Sequence, residues 1–219
     1  MIMVNAGENT RAAGGGFIVE RIHFPLSTFN FTLHFMKPSL VIFGLGNPGA
    51  QYERTRHNAG FQALDALSSE FGESDWQDKQ KFDSYIQEAR VGVAPVLLVK
   101  PKTFMNLSGD AVRKVVEFYK IDPATQVLVL SDDIDISLGE LRLRMKGGPG
   151  THNGLKSIVD IYGEDFPRIR IGLGGPPAGS DLSNWVLSKM TGDEMDTLNE
   201  SFTKLPKIVS DFILGSEDS

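Results

Sequence analysis

Residues 40–60, LVIFGLGNPGAQYERTRHNAG, restrict the possible fold more than any other segment. The apolar run Leu40, Val41, Ile42, Phe43 empties into a turn containing Gly44, Gly46 and Gly49, and Asn47, Tyr52, His57 and Asn58 follow at once. A continuous apolar run bounded by turn residues predicts a buried strand, and open α/β sheets present their chemistry at the carboxyl ends of such strands. The segment therefore predicts the lip of an active site.

The remainder alternates in the same way. Phe61, Leu64, Leu67 and Phe71 recur at spacings of three and four, which predicts an amphipathic helix over 58–71 with Asn58 as its cap. Residues 82–91 and 96–99 read as neighbouring strands around Gly92 and Pro95. Val112, Val115, Val116 and Tyr119 predict a second helix that starts near Asn106 or Ser108 and stops before Pro123. Residues 127–130 read as a buried strand opening onto Asp132, Asp133 and Asp135, and 141–144 as a half-exposed strand with its basic side outward. A second glycine segment, GGPGTHNG, leads into a helix bearing Leu155, Ile158, Val159 and Tyr162; 168–173 form another strand; a final helix covers about 191–214. The expected architecture is a single α/β domain, a twisted mixed and largely parallel sheet with helices on both faces. Residues 1–36 share no sustained period with the rest and read as an extension added by start-codon choice, with a targeting role as the alternative, ahead of a domain over 37–219.

Several functions are excluded by what the chain lacks. With no cysteine among 219 residues there is no disulfide, thiolate nucleophile or cysteine-bound zinc, which fits a cytoplasmic protein. No apolar run approaches the roughly 18 residues that span a bilayer, so no membrane role is expected. GLGNPG matches the dinucleotide fingerprint literally, but Pro48 and QYERTRH separate it from the next helix, and Asp65 falls in mid-helix rather than at a strand end. The second glycine run lacks the Gly-Lys-Ser/Thr of a P-loop. His57 and His152 are far apart in sequence and the aspartate run matches no metal loop, so no metal is expected.

What remains is a set of polar residues at the ends of successive elements: Asn47 and His57, Asn106, Asp132, then His152 and Asn153. An imidazole oriented by a carboxylate can take a proton from water near neutral pH. Neutral amides can donate to a carbonyl or developing oxyanion without competing for that proton. The set points to ester or amide hydrolysis by histidine-activated water. Against a net charge of −6, Arg142, Arg144, Lys146 and Lys156 form an acid-free basic stretch followed by Arg168 and Arg170, which points to a local phosphate-backbone site.

Taken together, GLGNPG, TRHNAG, TFMNLSG, the D-D-x-D run and HNGLKS with FPRIRIGLG resemble the bacterial-type peptidyl-tRNA hydrolase family in order and spacing, from about Pro38 to Leu214. Departures are Thr151 where the family often has glycine, Ser137 where it usually has proline, and Lys146 for a common glycine or serine. The resemblance implies cleavage of the ester joining a peptide to the 3′ ribose of tRNA, by a monomer that needs no metal or organic cofactor. It implies His57 as general base, Asp132 as its orienting partner and Asn47 as a holder of water and substrate. Tyr52, Phe104, Met105, Asn106 and Asn153 would bind the peptide and the 3′ end, and Arg144 or Lys146 with Arg170 would clamp phosphate of the acceptor stem. Some plant relatives of the fold serve in RNA splicing, so a non-catalytic RNA-binding protein is the alternative expectation.

Overall fold

The computed structural model describes residues 37–215; the extension expected over 1–36 and the last residues of the chain lie outside the described residues. Among the described residues a seven-stranded sheet has the order β2-β3-β4-β1-β5-β7-β6. Its centre is parallel: β1 (Leu40–Gly44) lies between β4 (Ala94–Pro101) and β5 (Val127–Asp133), and β5 continues in parallel to β7 (Arg168–Gly172). β2 (Gln77–Lys79) and β3 (Ser84–Val91) extend one edge in antiparallel sense, and β6 (Leu141–Arg144) closes the other. The mixed sheet expected from the alternation of elements is thus present. Its central strands read as unbroken apolar runs because both of their faces are covered.

The two faces of β1 show how. Leu40 and Ile42 pack with α1 (Ala59–Phe71), α6 (Gly192–Phe202) and α7 (Leu205–Leu214), whereas Val41 and Phe43 pack with α2 (Ser108–Tyr119) and α4 (Asn153–Tyr162). Two short helices complete the set, α3 (Pro123–Gln126) and α5 (Leu182–Leu187). The single helix expected over 191–214 is in fact two, broken at Thr203 and Lys204. Pro206 occupies the first turn of α7 and has no N–H to donate to the preceding turn, so the chain restarts there.

α1 meets the sheet at unusually short range. A Cβ on Gly60 would stand 2.5 Å from Leu130 O and from both N and O of Leu45, and one on Gly44 would stand 2.3 Å from Gly60 O. These glycines let helix and strand backbones touch. That contact sets the N-terminus of α1, and the residues just before it, against the carboxyl ends of β1 and β5.

Candidate active site

The segment between β1 and α1 is irregular, with single 3-10 turns at Ala50–Tyr52 and Arg56–Asn58. Asn58 precedes α1 but does not cap it. Its side-chain Oδ1 accepts the Asn47 N–H at 2.9 Å and its Nδ2 donates to Asn47 O at 2.9 Å, as a neighbouring strand would. Asn47 Oδ1 in turn accepts the Met105 N–H at 2.8 Å. With its carbonyl oxygen so engaged, Asn47 has only its Nδ2 donor left for a further partner. Met105 itself is buried, 4% exposed, so its part in this geometry is played by its backbone.

Arg56, invisible as a site residue in the sequence, anchors the same segment. Its buried guanidinium donates to Ser188 Oγ at 2.7 Å, to Lys189 O at 3.2 Å and to Glu194 Oε1 at 2.5 Å, and lies over the Trp185 ring at 3.6 Å. Glu194 also closes the capping box of α6 with Thr191. The residue immediately before His57 is therefore fastened to both α5 and α6.

At the tip of β5, Asp132 lies with its Oδ1 2.9 Å and Oδ2 3.0 Å from His57 Nδ1. His152 Nε2 lies 2.9 Å from the same Oδ1. The two imidazoles, which sequence separation had set apart, thus meet on one carboxylate, with ring centroids 4.8 Å apart. Burial depresses the basicity of His57, but the charge of Asp132 and its hydrogen bond outweigh this, and the pKa stands above its ordinary value. Burial pushes the Asp132 carboxyl up; the attraction and hydrogen bonds of His152 and His57 prevail and hold it well below the usual carboxylate range. His57, Asp132 and His152 offer ligand atoms within 4.8 Å of one another, a set able to hold a cation. In the arrangement seen, these atoms are spent on one another.

The cleft at this cluster is lined by Asp133, Arg170, Asn153 and the Pro149–His152 stretch, together with Leu182 and Val186 of α5. Asn153 opens α4 and is exposed. Tyr52, Phe104, Met105 and Asn106 lie outside this lining: Phe104 is 54% exposed on the approach to the Met105–Leu107 turn, where Asn106 is exposed as well. Of the basic residues, Arg144 and Lys146 are exposed, and Arg170 Nε pairs with buried Asp133 Oδ2 at 2.8 Å. Arg168 departs from expectation. It is 1% exposed, donates to Glu164 O at 2.9 Å and Phe166 O at 3.3 Å, and stacks on the Phe166 ring, so it belongs to the core rather than to a surface patch. Burial and the neighbouring Arg170 pull its pKa down to about 10.

A sequence model described as peptidyl-tRNA hydrolase matches residues 41–218. A peptidyl-tRNA hydrolase of Alkaliphilus metalliredigens is 46% identical over 179 residues, spanning 81% of this chain and 95% of that protein. A chloroplastic peptidyl-tRNA hydrolase of Arabidopsis thaliana is 47% identical over 164 residues, 74% of this chain and 56% of that protein. The crystal structure of peptidyl-tRNA hydrolase from Acinetobacter baumannii superposes with a TM-score of 0.76 at 35% identity, covering 80% of this chain and 89% of that one.

Proposed function

This chain belongs to the peptidyl-tRNA hydrolase family and hydrolyses peptidyl-tRNA, and we propose that it cleaves the ester at the 3′ ribose with a water deprotonated by His57. The observation that carries this reading is the 2.9 Å contact between His57 Nδ1 and Asp132 in the cleft. A carboxylate can only accept, so Nδ1 carries the imidazole proton and Nε2 presents a lone pair. Water gives a proton to Nε2 as its oxygen attacks the ester carbonyl carbon. The Asn47 Nδ2 donor is available to the oxyanion that forms. As the tetrahedral intermediate collapses, the bond from carbonyl carbon to the 3′ oxygen breaks, and that oxygen takes the proton back from His57. The products are the peptide acid and free tRNA, and His57 returns to its starting form. Asp132 holds the imidazole in one tautomer and offsets the imidazolium charge midway.

Asn153, the exposed first residue of α4, and Asn106 on the adjoining turn are assigned to the peptide and the 3′ end, with Tyr52, Phe104 and Met105 shaping the approach. Arg170, oriented by Asp133 beside the cleft, and the exposed Arg144 and Lys146 are assigned to phosphates of the acceptor stem. The enzyme is read as a cytoplasmic monomer that needs no cofactor. Among the described residues no helix is long and apolar enough to cross a membrane.

The test is release of tRNA from an N-blocked aminoacyl-tRNA. His57→Ala is expected to lower kcat by roughly 10²- to 10⁴-fold while tRNA binding stays near wild type. Wild-type turnover by that variant would remove His57 from the role of base.

A further inference from the structure

His152 caps α4 with one ring nitrogen and touches Asp132 with the other. Its Nδ1 accepts the backbone N–H of Gly154 at 3.1 Å and of Leu155 at 3.2 Å. A ring nitrogen that accepts from N–H groups carries no proton, so the proton sits on Nε2, which lies 2.9 Å from Asp132 Oδ1. The partners therefore assign the tautomer, with α4 as the element that dictates it.

We propose that His152 is a positioning residue for hydrolysis: its Nε2–H pins the Asp132 carboxylate in the orientation that His57 requires and ties that orientation to the start of α4. This rests on the reading of His57 as base. The need for a pin follows from the aspartate itself. The torsion that turns a carboxylate about its own axis is broad and nearly two-fold, so rotamer preference does not fix the plane of Asp132. His57 cannot fix it either, because its Nδ1 lies almost equally far from both oxygens, at 2.9 and 3.0 Å. His152 selects Oδ1 alone. With its side chain only 8% exposed, little water can take its place.

The second consequence is electrostatic. Oδ1 accepts from both imidazoles, so part of the carboxylate charge is committed to His152 and withheld from His57. The other charged groups facing the pair are Asp133 and Asp135 from the end of β5 and its turn, and Arg170 from β7, itself paired with Asp133. α5 contributes Leu182, Ser183 and Val186, and Arg56 turns its charge away to Glu194. Deleting the His152 donor thus strengthens the hold of Asp132 on protonated His57.

His152→Asn separates capping from pinning, because asparagine is a good N-cap but too short to reach Asp132. In the full chain this variant is expected to keep Tm within about 3 °C and to keep KM. Its kcat on N-blocked aminoacyl-tRNA should fall roughly ten- to hundredfold, with the acid limb of the pH–kcat profile moved to higher pH. Nitrogen NMR of the histidine-labelled wild-type protein should find His152 Nδ1 unprotonated and Nε2 protonated. A proton on Nδ1, wild-type kcat in His152→Asn, or a loss confined to KM would each overturn the proposal. The NMR readout needs no variant to fold and does not depend on what His57 does. Full activity of His57→Ala would instead fell the base assignment while the tautomer measurement still reported on His152.

Discussion

At Asn58 one side-chain amide stands in for a missing strand partner, and Asn47 keeps its place through it. Asn58→Ala would leave the buried N–H and C=O of Asn47 without partners, which is expected to cost about 1–3 kcal/mol in denaturant titrations and to lower kcat with it. The ion pair at His57 has a signature in pH. His57 is raised, so its contribution to stability is complete below its unfolded value of about 6.5 and is lost as pH rises through the folded one. Asp132 is lowered, so its contribution is complete above its unfolded value of about 3.9 and is lost as pH falls toward the folded one. The stability difference between wild type and Asp132→Asn should therefore be largest at about pH 5–6 and shrink on either side. A difference independent of pH would detach both groups from the pair. Because the atoms of His57, Asp132 and His152 are committed to one another, EDTA is expected to leave the hydrolysis rate unchanged; strong inhibition would make this cluster a metal site.

The element that aims His57 is α1, and its aim depends on Gly60. Gly60→Ala places a methyl 2.5 Å from backbone atoms of Leu45 and Leu130, none of which can swing aside. We expect a loss of about 1–3 kcal/mol and a fall in kcat larger than the loss of folded protein explains. Gly192→Ala, at the open start of α6 with nothing within 4 Å, serves as the neutral comparison. In the sequence Gly44 reads only as the opening of a turn, with nothing to show that its backbone meets that of Gly60. The central strands were legible because their apolar runs are local, and the ends of β1 and β5 could be read as site edges for the same reason; β2, with the sequence QDK, carries no such run and was not foreseen. Gly60 against Leu130, Arg168 under Glu164 O and Phe166 O, and His152 on Asp132 were not legible, since each is decided by a partner that only the fold supplies. The break between α6 and α7 was missed for a plainer reason. The apolar spacing runs on through it, and Pro206 lies in the middle of that spacing.

On the scale of the whole molecule, a chain of net charge −6 must attract a polyanion through a small part of its surface. The structure narrows the basic residues that can do so. Arg168 is enclosed, Arg142 is paired with Glu140 at 2.6 Å, and Arg170 stands at the cleft with Asp133 holding it. If Arg170 contacts a phosphate, Arg170→Ala should weaken tRNA binding and reduce the slope of log K against log salt by about 0.7–0.9. Arg90→Ala is the control, because Arg90 lies on β3, far across the sheet order from β7, and pairs on the surface with Glu73 at 2.7 Å. It should change neither the slope nor, measurably, the stability, because an exposed ion pair contributes little. Arg168→Ala should do the reverse of Arg170→Ala: lower stability by about 1–3 kcal/mol and leave the slope intact. Equal slopes for wild type and Arg170→Ala would mean that the Arg170–Asp133 pair serves only to hold the end of β5 beside Asp132, and that the phosphates are met by Arg144 and Lys146 on the exposed edge of the sheet.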